Sequence, residues 1–385
     1  MRFIRLALRG LLVLVLVLAA AALWKREEIT RLLAVNSLFT AEKITSNFSH
    51  MDQLFLTRPL PRGAAPASVL PKGAPITLPQ SMPAWIEARW VTAMVVLKDG
   101  QLVHEAYYRG TAPEDLRISW SVAKSFLSAL FGTLHADGTI PDLNAQVVQF
   151  APVLKGSAYD GATIRDVLTM SSGVAFNEDY LDFDSDINRM GRVLALGGSI
   201  DSFAAGLTGR EAEPGSRMHY VSIDTHVLGM VIAGATGRDP ADLLDERIIQ
   251  PLGLERAPYY LTDGEGVSFV LGGLNLTTRD YARMGQLFLQ DGQWQGRQLV
   301  PADWVAQSTA LQAPGGAGYG YQWWVPVDSA DHGNDYFAHG IYGQYIYINP
   351  AHAVVIAVNS ADRSFKEPGV EDGNLAQLRG LAESL

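Results

Sequence analysis

The chain has 385 residues, of which 48% are hydrophobic and 18% are charged, so it is long and apolar enough to bury a sizeable core. Its formal net charge is −10 and it contains no long basic run, which argues against a nucleic-acid partner. It contains no cysteine, which excludes disulfides and thiolate metal sites but does not decide the cellular compartment.

The first 26 residues form a basic and then apolar segment. Three arginines precede the uncharged run LLVLVLVLAAAALW at residues 11–24, and Lys25 and Arg26 close it. This pattern is typical of a secretory signal or signal anchor. The run reaches the roughly 20 residues that span a bilayer only when residues 4–10 are included. We predict a single-pass anchor in a bacterial inner membrane with the rest of the chain in the periplasm, or an exported protein if the segment is cleaved.

Residues 27–82 are predicted to be a partly helical stretch followed by a connector. Apolar residues recur at helical spacing in EEITRLLAVNSLF. Seven prolines then occupy the stretch from Pro59 to Pro83, which argues against a helix or a central strand there. We therefore expect the folded domain to occupy residues 83–385.

The stretch TAMVVLKDGQLVHEAYYRG, residues 92–110, predicts a β-hairpin because two β-rich runs flank Asp99-Gly100. The apolar helix of RISWSVAKSFLSALFG follows it. The signals from about residue 139 to 265 are mainly helical, and a further helix should begin after Thr277 or Thr278.

Strands are predicted again after about residue 318, in GYGYQWWVP, DYFAHG, YGQYIYINP and HAVVIAVNS, followed by a closing helix. Strands at both ends of the domain predict an α+β fold with one antiparallel sheet flanked by helices. Its α/β part would comprise about residues 83–138 and 266–385, with an all-helical insertion at about residues 139–265.

Ser121 and Lys124 form a Ser-x-x-Lys pair at the start of the apolar helix. The two side chains share one crowded side of that helix, and the free N–H groups of its first turn favour a developing negative charge. A desolvated lysine loses its proton more easily, so a neutral Lys124 could act as general base toward Ser121. The alternative is an exposed Lys124 without a function.

Other catalytic schemes lack their residues in this sequence. There is no G-x-S-x-G turn and no H-E-x-x-H motif, and the eight histidines lie singly along the chain. We expect neither a metal nor an organic cofactor.

Two later motifs supply groups that a serine–lysine pair needs. Tyr220 and Ser222 precede a predicted helix, where the phenol could relay a proton and the hydroxyl could bind the lysine. In FAHGIYGQYIYINP, a glycine-flanked strand end lets a backbone N–H approach a substrate carbonyl, and with the N–H of Ser121 it could form an oxyanion hole. Each motif alone has an ordinary packing explanation.

The order of Ser-x-x-Lys, Tyr-x-Ser and His-Gly-Ile is the layout of serine β-lactamases and penicillin-binding proteins. With SVAKS, YDGATIRDVLTM, FNEDY, DTHVLG, GGLNLTTRDYARMG, YQWW and GIYGQ, spread over about residues 90–360, the chain resembles the class C β-lactamase-like serine hydrolases. Within that family it is most similar to the 6-aminohexanoate-dimer (nylon-oligomer) hydrolases. The resemblance implies the β-lactamase/D,D-peptidase-like fold.

The resemblance also implies a role for each matching residue. Ser121 would be the nucleophile, Lys124 the base and Tyr220 the proton relay, supported by Ser222. The oxyanion donors would be the N–H groups of Ser121 and Ile341.

The third motif contributes His339 and Gly340 next to Ile341. Tyr180 in FNEDY matches a tyrosine on a mobile loop that closes over the substrate. His339 stands where β-lactamases carry a lysine, so the fixed charge that would hold a β-lactam carboxylate is missing.

Three acidic residues near FNEDY, namely Asp182, Asp184 and Asp186, are candidates for binding a substrate amine. Activity on nylon dimers does not follow from them.

We therefore predict a membrane-anchored serine esterase or amidase with a small-molecule substrate; the sequence does not define its oligomeric state. One alternative is a penicillin-interacting D,D-peptidase or weak β-lactamase acting on cell-wall substrates. Another is a non-catalytic envelope binding protein on the same fold.

Overall fold

A computed structural model describes residues 2–385. Its α-helices are α1 Arg2–Trp24, α2 Arg26–Asn36, α3 Ile44–Asn47, α4 Met82–Ala88, α5 Ala123–Ala136, α6 Ile164–Leu168, α7 Asp186–Leu196, α8 Ile200–Ala205, α9 Ile223–Thr236, α10 Pro240–Leu244, α11 Gln250–Leu252, α12 Thr278–Leu289, α13 Ala302–Ser308 and α14 Val370–Glu383. Its strands are β1 Leu56–Pro59, β2 Val91–Lys98, β3 Gln101–Tyr107, β4 Arg117–Ile118, β5 Tyr259–Thr262, β6 Leu274–Leu276, β7 Gln293–Trp294, β8 Arg297–Gln298, β9 Tyr336–Gly340, β10 Gln344–Asn349 and β11 Val354–Ser360.

The main sheet is antiparallel and has the strand order β3-β2-β11-β10-β9. Asp99 and Gly100 both have positive φ, 51° and 74°, as the tight turn between β2 and β3 requires, so the predicted hairpin is confirmed. Helix α12 packs on β2, β10 and β11, while α14 contacts β10 and β11 and α4 contacts β2. The predicted α+β fold, with an antiparallel sheet flanked by helices, is confirmed.

A second, smaller sheet has the order β1-β5-β6-β4. Its first strand, Leu56–Pro59, pairs with β5 in the register Leu56 to Thr262, so the insertion predicted as all-helical at about residues 139–265 contains a strand near its end. Upstream of it, Leu38, Phe48 and Met51 are buried in the main hydrophobic core. Residues 27–82, predicted as a helical stretch and connector ahead of the domain, thus supply part of its core.

One predicted strand, GYGYQWWVP at residues 318–326, is wrong. This stretch folds back on itself and makes only isolated bridges, from Trp324 to Tyr319 and to Phe337. Gln322 has a positive φ of 64°, which breaks an extended run. Gly320 lies so close to the Ser308 carbonyl that a Cβ would be 2.0 Å from the oxygen. The aromatic residues of this stretch alternate as in a strand, because Tyr319, Tyr321 and Trp323 are all buried in the core.

Helix α1 is the apolar N-terminal segment. Among residues 2–385, α1 is the one helix that is long and apolar enough to cross a membrane, with a mean hydropathy of 2.4 over Phe3–Ala20. A signal sequence has the same properties. At 1.5 Å per residue its length is about 35 Å, slightly more than a bilayer's hydrocarbon core. After a break at Lys25, α2 packs against α7, where Arg31 Nε donates to the Ala195 carbonyl at 3.1 Å.

Candidate active site

Ser121 lies in a short 3₁₀ turn, Trp120–Val122, that leads directly into α5. The residue before it, Trp120, has a positive φ of 44°, which is rare for a bulky side chain and often marks a functional site. The rings of Phe39, Phe48 and Tyr342 surround the indole at centroid distances of 5.8, 5.6 and 6.3 Å. This aromatic packing holds the turn and presents Ser121, half-buried, at the start of the helix.

Lys124 is buried one turn further along, with 1% of its surface exposed. Its Nζ lies 3.1 Å from Ser121 Oγ and 3.2 Å from Ser222 Oγ, and donates to the Leu271 carbonyl at 2.8 Å. Burial lowers the pKa of Lys124 from 10.5 to about 7, outweighing the opposite effect of the nearby Glu178 charge. The amine is thus neutral in a substantial fraction of molecules at neutral pH and within reach of Ser121.

Tyr220 and Ser222 lie where the chain enters α9, so the structure brings them to the serine–lysine pair. Lys124 Nζ is 5.5 Å from the centre of the Tyr220 ring, which stacks on Trp324 at 5.3 Å and 23°. Burial raises the pKa of Tyr220 well above 10, the Glu178 charge adds to this effect, and hydrogen bonding to Ser121 opposes it. The phenol therefore stays protonated at physiological pH and keeps a proton that it could donate.

Glu178 belongs to the same cluster, and sequence reasoning missed it. Its Oε2 accepts from the Ser222 backbone N–H at 2.9 Å, and its Oε1 accepts from both the Ser222 and the Tyr180 hydroxyls. A continuous chain of contacts therefore runs from Tyr180 through Glu178 and Ser222 to Lys124. The available signal was an acid two residues before the tyrosine in FNEDY.

The three acidic residues predicted as candidates for binding a substrate amine are not among the described residues that line the cavity, and two of them bind Asn177 instead. Asp182 accepts from the Asn177 side chain at 3.2 Å and Asp186 from the Asn177 backbone at 2.9 Å. Among the described residues, neither these two nor Asp184 lines the cavity next to Ser121.

The end of β9 closely approaches Ser121, the predicted nucleophile. A Cβ on Gly340 would lie 2.6 Å from the Ser119 carbonyl oxygen and 3.1 Å from the Ser121 nitrogen, so only glycine fits without a shift. Ile341 follows and lines the same cavity as Ser121. In the part of the chain that the structure describes, the N–H groups of Ser121 and Ile341 donate no backbone hydrogen bond outside the regular elements. Both are thus available to an oxyanion.

His339 lies beside Gly340 on β9, half-buried, and its ring stacks on Tyr345 with a centroid distance of 4.5 Å and an angle of 13°. Burial lowers the pKa of His339 to about 4. The ring is therefore neutral at pH 7, and its 3.6 Å separation from Glu371 is not a strong ion pair. His339 supplies no fixed positive charge to the site.

A cavity of about 520 Å³ opens at Ser121, within the range of small-molecule sites. Of the predicted site residues, it is lined by Ser121, Tyr180, Ser222 and Ile341. Lys124, Tyr220, His339 and Gly340 lie outside its described lining. Within residues 2–385, no three His, Asp or Glu side chains cluster so as to hold a metal ion.

The comparisons with known proteins agree with this fold. The β-lactamase family profile matches residues 84–380, so the chain belongs to the β-lactamase family of serine hydrolases and is an enzyme of that class.

Individual proteins similar to this chain include named hydrolases. The chain is 29% identical over 294 residues to the 6-aminohexanoate-dimer hydrolase of Paenarthrobacter ureafaciens, covering 71% of this chain and 74% of that protein. A solved structure from Bacillus anthracis, provisionally described as a 6-aminohexanoate-dimer hydrolase, has a TM-score of 0.80 at 24% identity and covers 90% of this chain and 96% of its own. EstCE1, a hydrolase with promiscuous acyltransferase activity, shares the fold with a TM-score of 0.63 at 17% identity over 78% of this chain and 96% of its own.

Proposed function

We propose that the protein hydrolyses an ester or amide through an acyl-enzyme on Ser121. The observation that carries the proposal is the buried Lys124, with a pKa lowered to about 7 and its Nζ 3.1 Å from Ser121 Oγ. A lysine with a pKa near the working pH is an effective general base. The named hydrolases among the relatives support the same reaction class.

In the acylation step, neutral Lys124 takes the Ser121 proton while Oγ bonds to the substrate carbonyl carbon. The N–H groups of Ser121 and Ile341 hold the resulting oxyanion. Tyr220 gives its proton to the leaving oxygen or nitrogen, and the C–O or C–N bond breaks. Lys124 returns a proton to the phenolate.

In deacylation, a water molecule loses a proton to the Lys124 and Tyr220 pair and attacks the acyl carbon. The Ser121–acyl bond breaks, Oγ regains a proton and the acid leaves. Ser222 positions Lys124 at 3.2 Å and is itself held by Glu178 through its hydroxyl and backbone N–H. These two residues are positioning residues in this scheme.

We further propose that α1 retains the enzyme at a membrane, with the catalytic domain on the periplasmic side. Three arginines in the first nine residues precede the apolar run, and positive charge favours the cytoplasmic side. Accessibility of the domain to protease in spheroplasts, compared with lysed cells, tests this orientation.

The reaction is tested with the full-length protein in detergent. Wild type should be labelled by a fluorophosphonate probe and should hydrolyse short p-nitrophenyl esters, whereas Ser121→Ala should do neither. Ser81→Ala, an exposed serine that contacts Gln377, is the matched control and should behave like wild type. Equal behaviour of wild type and Ser121→Ala would contradict the proposal. Labelling by a fluorescent penicillin would favour a cell-wall substrate instead.

A further inference from the structure

We propose that the cavity at Ser121 binds the unbranched alkyl chain of an acyl ester or amide drawn from the membrane. This inference rests on the proposed function and names its substrate class. The cavity is continuous with the nucleophile and with Ile341, so a group seated in it would be attached to the carbonyl under attack.

The wall of the cavity is mainly apolar and comes from segments far apart in the sequence. Its apolar side chains are Val35, Leu38, Phe39, Phe55, Trp120, Leu181, Phe183, Ile187, Met190, Leu194, Leu261, Phe269 and Leu271. No described lining residue is an aspartate or a glutamate, so the cavity offers no carboxylate to a substrate ammonium. Burial of methylene groups is the interaction that this surface can supply.

Two polar residues of the lining, Arg192 and Asn188, already have partners within the protein. Arg192 donates to the Phe183 carbonyl at 2.7 Å, and its guanidinium lies 4.1 Å from the centre of the Phe183 ring. Asn188 donates to the carbonyls of Tyr180 and Asp182 at 3.1 and 2.7 Å. These bonds occupy part of the polar capacity of the lining.

The position of Tyr220 indicates whether the acyl half or the leaving group of the substrate occupies the cavity. Tyr220 is proposed to protonate the leaving group, and it lies outside the described lining of the cavity, whereas Ile341 of the oxyanion pair lies within it. The leaving group would thus depart on the tyrosine side, and the acyl chain would fill the cavity.

The N-terminal segment connects the cavity to the membrane. Val35 and Phe39 form part of the wall, and α2 leads to them from the end of the apolar α1. From Trp24 to Val35 the helical rise is only about 16 Å. At the mouth, Leu181 and Phe183 are 72% and 66% exposed, an arrangement that suits contact with lipid rather than water.

Gly191 on α7 provides a sharp test because it lines the cavity and a Cβ there would meet no atom within 4 Å. Leucine at this position should therefore occupy the cavity without disturbing the helix. Gly380 on α14 is the matched control, since a Cβ there also meets nothing and the residue is exposed and outside the lining.

The experiment measures kcat/KM for p-nitrophenyl acetate and decanoate with the full chain in phosphatidylcholine vesicles. Each fully buried methylene is worth about fourfold, so burial of only half of the eight extra methylenes should raise kcat/KM by more than about a hundredfold in wild type. Gly191→Leu should lower the decanoate-to-acetate ratio at least about tenfold, whereas Gly380→Leu should leave it unchanged. Because all variants are measured in the same vesicles, the partitioning of each ester into the lipid is the same for each and cancels when the variants are compared.

A second pair of variants tests the mouth without touching the core. Leu181→Ser combined with Phe183→Ser should raise KM for decanoate several-fold. Val327→Ser, at a residue 73% exposed and outside the lining, should not.

Equal decanoate-to-acetate ratios in wild type and Gly191→Leu would overturn the alkyl-chain assignment, as would a wild type without chain-length preference. In both cases acetate turnover and fluorophosphonate labelling would still support the serine-hydrolase proposal. Loss of all labelling and turnover in wild type would instead overturn both.

Discussion

Replacing Lys124 with methionine should make the protein more stable and catalytically inactive. The lysine is 1% exposed, and its pKa falls from 10.5 to about 7 because burial disfavours the charged amine. A shift of this size costs the fold about 4 kcal/mol at pH 7. Methionine has a similar length and no charge, so it removes that cost.

Lost hydrogen bonds offset part of the gain. The Leu271 carbonyl loses the donor that lies 2.8 Å away, which costs about 1–3 kcal/mol for a buried acceptor. Ser222 keeps its bond to Glu178. The net expectation is a stabilisation of about 1–3 kcal/mol at pH 7.

The pH dependence identifies the cause. A lysine whose pKa is lower in the folded than in the unfolded state destabilises the fold fully below its folded pKa, and this effect disappears as pH rises toward the unfolded value. Between pH 7 and pH 10, the free energy of unfolding of wild type should therefore rise by about 3 kcal/mol relative to that of Lys124→Met. Urea unfolding of both full-length proteins in detergent at the two pH values measures this difference, with the exposed Lys72→Met as control. A difference that does not change with pH would refute the argument from desolvation.

Three further variants test the remaining groups. Glu178→Gln should move the acidic limb of kcat/KM, expected near pH 7, to lower pH, because the carboxylate raises the pKa of Lys124. Tyr220→Phe should lower kcat for an amide about 10² to 10⁴-fold while fluorophosphonate labelling persists, since the phenol serves leaving-group protonation. Gly132→Ala should lower the unfolding temperature by several degrees, because the added Cβ would lie 2.3 Å from the Trp304 ring.

Controls and contrary results are specific to each variant. An acidic limb that stays in place or moves upward in Glu178→Gln would contradict the assignment of Lys124 as the titrating base. Unchanged amide turnover in Tyr220→Phe would exclude the phenol as the proton donor. Gly380→Ala, where the methyl meets no atom, should not be destabilised, and equal melting of the two glycine variants would contradict the overpacking argument.

Local patterns in the sequence predicted the elements whose determinants are local. Ser121 and Lys124 are three residues apart, so one helical turn brings them together wherever that helix packs. Asp99-Gly100 specifies its hairpin through the backbone conformations that these two residues adopt.

The features that were missed depend on contacts distant in the chain. Glu178 meets Ser222, 44 positions further along the chain, and no spacing rule connects them. The aromatic residues of GYGYQWWVP alternate as in a strand, but the left-handed Gln322 and the crowded Gly320 turn the chain instead. The cavity wall likewise comes from segments that only the complete fold brings together.

The pairing of β1 with β5 defines how short a working version of this enzyme can be. A chain trimmed to residue 84, where the family match begins, would lose the strand that covers β5 and the side chain of Phe39 that packs against Trp120. It would expose an unpaired strand edge, which promotes aggregation. Removal of α1 alone would leave both contacts in place. Soluble expression should therefore begin near Arg26.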